Sequence, residues 1–280
     1  MTVEQAYREC KTNLEKICVC DPDFETACIF EQKFSLNRAK VITHGCDKFS
    51  EENLCELHNI LDKRAEKEPL QYILGSWDFC GFEFFVGDGV LIPRDDTEVV
   101  LTLCLEFLKN CKSRKTADLC AGSGAISVAL NRLANADVTS VELSDKAFFY
   151  LEKNAKHNNT DITLIKGNIF KCYRDFDNGF FDLIVSNPPY IKTDEIKALQ
   201  TEVQKEPSMA LDGGKDGYDF YRAIVRDWST KLKKGGALAF ELGEEQADYV
   251  AELMKNAGYK NIKTALDISG IKRAIIGFKL

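Results

Sequence analysis

Asp118-Leu119-Cys120-Ala121-Gly122-Ser123-Gly124 follows an apolar segment, residues 115–120, that reads as a strand, and it runs directly into the helical pattern of residues 124–134. Gly122 and Gly124 permit a tight turn and a close backbone approach to a ligand. The N-terminus of the following helix presents N–H groups with no intrahelical partner. With only two glycines and no Walker lysine, the turn does not read as a P-loop. From Ser113 onward, strands and helices alternate. The strands are expected at 115–120, 137–142, 161–166, 180–186, 236–241, 260–266 and 273–279. The helices are expected at 124–134, 145–157, 193–204, 217–232 and 245–256. Alternation of this kind predicts an α/β fold, a mostly parallel seven-stranded sheet covered by helices on both faces. The last two strands follow each other without a helix, so they are expected to pair antiparallel.

In such a sheet, ligands bind outside the carboxyl ends of the strands. Polar residues at those ends are therefore the candidate site. Glu142 ends the second strand, about 20 residues after the glycine turn, where an acidic group can accept the hydroxyls of a ribose. Its bland alternative is a capping carboxylate for the segment that begins at Asp145. Asn168 ends the third strand and can contact an adenine amino group; its alternative is an ordinary turn residue. The fourth strand, Phe181-Asp182-Leu183-Ile184-Val185-Ser186, runs into Asn187-Pro188-Pro189-Tyr190. The prolines fix φ and donate no backbone hydrogen bond. An amide, two rigid prolines and an aromatic ring at a strand end can hold a planar NH2 group and stack against it.

Residues 1–68 read as a helical domain. Val3, Ala6, Tyr7, Leu14 and Ile17 recur at helical spacing. Ser50 reads as a helix cap, followed by acidic residues and by Asn53 in place of the usual Glu or Gln. Leu54, Leu57, Ile60 and Leu61 form one face of that helix. Glu68-Pro69 ends the helical pattern. Residues 69–92 are rich in aromatics and glycines and predict a β-hairpin linker, and residues 93–280 form the α/β domain.

The chain has 280 residues, a formal net charge of −7 and a pI near 5.2. That balance argues against a large nucleic-acid footprint. No apolar run is long enough to span a membrane, and the charged segment from Met1 to Leu14 does not resemble a signal peptide. Eleven cysteines without a repeated CxxC pattern are expected to be reduced thiols of a cytoplasmic protein. His44, Cys46, Cys55 and His58 lie close in sequence, but their spacing fits no standard zinc template, and no metal is expected.

The combination of motifs resembles the class I S-adenosylmethionine-dependent methyltransferases. More closely it resembles the HemK/PrmC family, which methylates the glutamine of the Gly-Gly-Gln motif in class I peptide chain release factors. The resemblance spans essentially the whole chain. It includes Pro69 to Gly75, Val90 to Glu98, the glycine turn, Asn187 to Ile191, Glu206-Pro207 through Leu211, and Asp216-Gly217. It implies a Rossmann-like fold with a small N-terminal helical domain. It implies S-adenosyl-L-methionine as cofactor, with Cys120, Ala121, Gly122, Ser123 and Gly124 around its methionine part. Glu142 would hold the ribose hydroxyls, and Asn168 and Ile169 would flank the adenine. Asn187 and the Pro188 carbonyl would hold the substrate amide, with Pro189 completing the turn and Tyr190 packing beside it. Cys120 stands where the family usually has glycine, Asn168 where aspartate is common, and Asp95 where proline is usual.

The resemblance implies release factors as protein substrates, docked with help from the N-terminal helices. Neither a membrane nor direct nucleic-acid binding is expected. N6-adenine DNA methyltransferases also present a planar, weakly nucleophilic NH2 to such a tetrad. However, this chain is acidic and has no obvious target-recognition insertion. A ribosomal-protein glutamine methyltransferase is the nearer alternative, and the 70–75 and 91–98 segments resemble the release-factor branch better. A helical interaction protein with a vestigial cofactor fold is the non-enzymatic reading, against which the intact tetrad argues. His157, in the helix after the ribose strand, reads as a surface residue.

Overall fold

The computed structural model describes residues 1–280, which form two compact units. Met1–Ser76 and the short segment Gln200–Lys205 make up the first, and Trp77–Leu199 with Glu206–Leu280 the second. The first unit is helical: α1 (Val3–Lys16), α2 (Pro22–Phe34), α3 (Arg38–Thr43), α4 (Glu51–Ala65) and the short α5 (Leu70–Leu74). Each longer helix starts where a side chain can take an orphan N–H. Thr2 and Gln5 form a reciprocal capping box on α1, and Ser50 accepts from the Asn53 N–H at the start of α4. The apolar faces meet in a core that includes Ala6, Cys10, Leu14, Ile29, Phe30, Leu57 and Ile60. Tyr7, Phe34 and Phe49 pack their rings around Phe30. Arg64, 3% exposed, forms two parallel 2.9 Å hydrogen bonds to Glu25 and donates to the Glu68 carbonyl. Its charge is thus paired on both faces of the guanidinium.

His44 bonds Asp47 and His58 bonds Glu9, so each imidazole is engaged with a carboxylate of its own neighbourhood. All eleven cysteines are free. No helix is long and apolar enough to cross a membrane.

A two-stranded sheet, β1 (Ser76–Phe79) and β2 (Phe82–Phe85), precedes the larger sheet. Helix α6 (Thr97–Leu108) leads to β3 (Lys115–Leu119), α7 (Ala125–Ala134), β4 (Asp137–Glu142), α8 (Asp145–His157), β5 (Thr163–Lys166) and β6 (Phe181–Ser186). The sheet closes with β7 (Leu232–Glu241), β8 (Tyr259–Leu266) and β9 (Lys272–Lys279), with a helix, Ala247–Asn256, between β7 and β8. The seven strands lie in the order β5-β4-β3-β6-β7-β9-β8. β3 to β7 run parallel, and β9 is antiparallel to both of its neighbours. The expected fold class and every expected strand are present.

Strand alternation splits the core between two sheet faces. Leu183, Val185, Ala237 and Ala239 face α6 and α7. Ile184, Leu238 and Phe240 face Tyr221, Ile224 and Trp228 and the helix Ala247–Asn256. Helix α6 was not anticipated, although Thr97, Val100, Leu101, Cys104 and Leu108, its buried residues, recur at helical spacing. The helix expected over 193–204 is reduced to a 3-10 turn, Ile196–Ala198, and one helical turn, Thr201–Gln204. Nearly all of that segment is exposed or half-exposed; it has no buried stripe to hold a longer helix. The helix expected over 217–232 begins only at Asp219, because Gly217 sits at φ +79°. It then passes through a π turn, Ile224–Trp228, and a 3-10 turn, Ser229–Lys231.

Candidate active site

The strand order reverses between β3 and β6. From β3 the chain winds outward through β4 and β5, then returns to place β6 on the other side of β3. The crevice outside the carboxyl ends at such a switch point is the ligand site of open α/β sheets. β3 and β6 pair with Leu119 opposite Ser186, and the Ser186 hydroxyl donates to the Leu119 carbonyl at 2.6 Å. The residues that follow, Cys120 on one strand and Asn187 on the other, are therefore neighbours. Both line two cavities, of about 100 and about 40 Å³, which also share Leu91 and Gly122.

The glycine turn is held from several sides. Ala121 N–H donates to the Val141 carbonyl and Gly124 N–H to the Ala121 carbonyl. Gly124 sits at φ +85°, and a Cβ there would lie 2.6 Å from Leu151 Cδ1; only glycine fits. Cys120 adopts φ +62°, in the left-handed region that favours glycine, at a cost of about 1 kcal/mol. Burial pushes the Cys120 thiol well above its ordinary pKa, so it is not a reactive thiolate. Asn154, fully buried on α8, donates to the Ser123 carbonyl and to the Phe85 carbonyl, and accepts from the Phe85 N–H. One amide thus ties the glycine turn to β2.

The larger cavity carries the ends of β4 and β5. Glu142 accepts from the Gly122 N–H at 2.8 Å with one oxygen, and from the Leu143 and Ser144 N–H groups with the other. Cap duty for α8 falls to Ser144, which accepts from the Ala147 N–H, so Glu142 is not the cap. Its Oε1 is filled by two donors, and Oε2, with one donor, retains a lone pair for a ligand. Asn168 caps the turn Ile169–Cys172 by accepting from the Phe170 N–H at 2.9 Å, as a turn asparagine does, while it also lines the cavity. The Asn168 oxygen takes one donor there and keeps one lone pair, and the amide NH2 is free. Ile169, Val141, Pro189 and Phe220 supply apolar walls, and the exposed Leu143 and Met209 stand at the rim.

The smaller cavity has a polar floor. Asp118, 1% exposed, accepts from the Ser127 hydroxyl at 2.5 Å with Oδ2, while its Oδ1 has no partner. Burial raises its pKa to about 7, with Glu142 adding to the rise and Ser127 opposing it. Asp118 lines the cavity, and a buried carboxylate with an unpartnered oxygen suits a cation or ammonium. Asp118 opens the glycine turn, and nothing in the sequence marks its burial. Ser123 and Arg94 line the same cavity. Arg94 pairs with the buried Glu206, whose other oxygen accepts from the Ile92 N–H at 3.1 Å. That pair fastens the 91–94 loop beside the crevice.

The tetrad is rigid for reasons beyond its prolines. The Tyr190 backbone is hemmed in by Gly213 and Gly217, where an added Cβ would fall 2.7 Å from Tyr190 Cα and 2.5 Å from its carbonyl oxygen. Gly243 leaves room for the ring, 2.9 Å from where its Cβ would be. Gln246 donates to the Tyr190 carbonyl, and Ile191 exchanges backbone hydrogen bonds with Leu211 and Gly213. The 211–217 segment thus packs directly against the tetrad. Asn187 and Pro189 line the cavities; Pro188 and Tyr190 lie outside both. The Tyr190 hydroxyl points to Glu241, and no protein donor occupies the Pro188 carbonyl. His157 pairs with Glu83 at 3.0 Å, away from these residues.

Residues 95–215 match the family model described as Methyltransferase small domain, and residues 5–75 match the PrmC N-terminal domain. A release factor glutamine methyltransferase from Geobacter sulfurreducens is 40% identical over 255 residues, covering 90% of this chain and 88% of that protein. Another, from Moorella thermoacetica, is 34% identical over 100% of this chain and 99% of its own length. Among solved structures, a methyltransferase from Pyrococcus furiosus aligns at TM-score 0.53 and 22% identity, over 72% of this chain and 90% of its own. The hMettl16 catalytic domain, solved with a MAT2A 3′UTR hairpin, aligns at TM-score 0.58 and 14% identity, over 83% of each chain; both likenesses show the fold alone. Sheet order, glycine turn and crevice define a class I methyltransferase. The chain belongs to the release factor glutamine methyltransferase family.

A raised carboxylate pKa has a definite thermodynamic sign. The stability associated with Asp118 is complete below its unfolded value near 4 and is lost as pH rises through about 7. Without ligand, Asp118→Asn is expected to gain stability relative to wild type by roughly 2–4 kcal/mol between pH 5 and pH 8. Urea unfolding at the two pH values measures this. Parallel pH dependence in the two proteins would rule out a strained buried carboxylate.

Proposed function

We propose that this protein transfers a methyl group from S-adenosyl-L-methionine to the side-chain amide nitrogen of the glutamine in the Gly-Gly-Gln motif of class I release factors. The observation that carries the reading is the meeting of the two cavities at Asn187. The larger one suits an adenosine: Glu142 for the ribose hydroxyls, and Asn168 and Ile169 beside the base. The smaller one suits an amino acid, with Cys120–Gly124 around it and Asp118 Oδ1 as acceptor for its ammonium. In that arrangement the junction beside Asn187, lined by Leu91, Cys120 and Gly122, would hold the sulfonium. Asn168 keeps its NH2 and one lone pair on Oδ1, so it can meet a ring nitrogen or the amino group of adenine.

When bound, the cofactor supplies an electrophilic methyl group on sulfur. The residues of this chain do the positioning. An amide nitrogen is a weak nucleophile because its lone pair is delocalised into the carbonyl. Asn187 Oδ1 and the Pro188 carbonyl are the proposed acceptors for its two N–H bonds, which sets the lone pair toward the methyl. Positioning of this kind supplies much of the acceleration. As charge builds on nitrogen, the N–H donors bind those oxygens more strongly, so the transition state gains more than the ground state. Pro189 and Tyr190 hold the loop that carries both acceptors. Residues 1–68 act as the docking domain, since a single glutamine offers little binding area. Residues 69–92 act as the linker and residues 93–280 as the catalytic domain. The eleven free thiols favour a cytoplasmic setting.

Labelled methyl transfer to purified release factor, to a Gly-Gly-Ala version and to duplex DNA tests the acceptor. Signal is expected on the first alone; equal signal on the second or third would overturn the assignment. Asn187→Ala should lower kcat by about 10²–10³-fold at saturating cofactor, and undiminished turnover would remove its role. Deleting residues 1–68 should weaken release-factor binding at least about tenfold and leave cofactor affinity nearly unchanged. Equal release-factor affinity in the truncated protein would refute docking by the N-terminal helices.

A further inference from the structure

An asparagine can hold a substrate N–H only if its oxygen, not its NH2, faces the substrate. The two ends of the amide are nearly the same shape, so something must choose between them. The surroundings of Asn187 supply that choice. Glu241, 2% exposed, ends β7, next to β6, with Phe240 opposite Ser186. Its Oε2 accepts the Thr97 hydroxyl proton at 2.6 Å, and its Oε1 accepts from the Tyr190 hydroxyl at 3.4 Å. Thr97, 4% exposed, opens α6, and its oxygen accepts from Asn187 Nδ2 at 3.4 Å.

A hydroxyl has one proton. Thr97 gives its proton to the carboxylate and keeps only lone pairs for Asn187. Asn187 must then turn its NH2 toward Thr97, which leaves Oδ1 facing the crevice. The same carboxylate holds the Tyr190 hydroxyl and so fastens both ends of the tetrad.

We infer that Thr97 and Glu241 are positioning residues for methyl transfer, which orient the Asn187 amide so that its oxygen receives the substrate N–H. Thr97 lines the smaller cavity and acts through Asn187, while Glu241 lines neither cavity; the inference rests on the glutamine-amide reading above. It also gives the buried carboxylate a function: an acceptor-only group is needed at this point, and an ionised Glu is one. The groups facing Glu241 are Thr97 and Asp96 at the start of α6, Tyr190 of the tetrad, and Arg273 of β9. Burial and Asp96 raise its pKa, and Thr97, Arg273 and Tyr190 oppose them, leaving it at about 7. When Glu241 takes a proton it can donate to Thr97. The Thr97 proton is then free for Asn187 Oδ1, and the amide reverses.

The test is methyl transfer to release factor, with calorimetric cofactor binding, for wild type, Thr97→Val, Thr97→Ser, Glu241→Gln, Asn187→Ala and the Thr97→Val/Asn187→Ala double variant. Thr97→Val keeps the side-chain shape. It should lower kcat by about 10- to 100-fold while cofactor Kd and release-factor KM stay within about threefold. Thr97→Ser restores the hydroxyl and should recover most of the loss. The double variant should be no slower than Asn187→Ala alone, since both act through one amide. At saturating substrates, wild-type kcat should fall as pH drops through about 7, whereas Glu241→Gln should be slower and flat over that range. Wild-type kcat in Thr97→Val, or full additivity in the double variant, would overturn the positioning role and leave the Asn187 reading standing. Full activity in Asn187→Ala would instead overturn that reading.

Discussion

The pairing of β3 with β6 is the contact on which the site depends. Parallel strands that are adjacent in space but separated by three crossovers end side by side. Here Leu119 lies opposite Ser186, and a side-chain hydrogen bond from Ser186 pins that register. The next residue on each strand begins a functional turn: Cys120 of the glycine turn and Asn187 of the tetrad. A slip of one residue would turn each strand's core face to the opposite side of the sheet. Leu183 and Val185 on one face and Ile184 on the other are fully buried, so the hydrophobic core fixes the register that aligns the chemistry.

Two carboxylates sit in this frame under the same burial, and their partners give them different roles. Asp118 and Glu241 are both driven to a pKa of about 7, chiefly by loss of water. Asp118 lines a cavity and keeps an unpaired oxygen, which suits it to a positive group. Glu241 has donors on both oxygens, Thr97 and Tyr190, which makes it a fixed acceptor within the protein. The first suits a ligand; the second suits orientation of the residue that meets the substrate.

The strands, the antiparallel last pair and the glycine turn were legible because each is written locally, in hydrophobic runs and breakers. Asn187 to Tyr190, Glu142 and Asn168 were legible for the same reason, being polar residues at strand ends. What stayed hidden lies in contacts between distant parts of the chain. Thr97 and Glu241 are 144 residues apart, and no local pattern pairs them. Gly213, Gly217 and Gln246 read as loop and helix residues until their packing on Tyr190 is seen. Helix α6 is a different case: its apolar spacing is readable, but no side-chain cap marks its start. The 193–204 helix failed for the opposite reason, since helix-forming residues without a buried face do not hold a helix.

The most direct measurement is a structure of the protein with the demethylated cofactor product and a Gly-Gly-Gln peptide. The account predicts the glutamine nitrogen at about 2.7–3.1 Å from both Asn187 Oδ1 and the Pro188 carbonyl oxygen, with Asn187 Nδ2 on Thr97 and the cofactor sulfur in line behind the site of transfer. A glutamine nitrogen held by other groups, or an Asn187 amide with its NH2 toward the substrate, would contradict it.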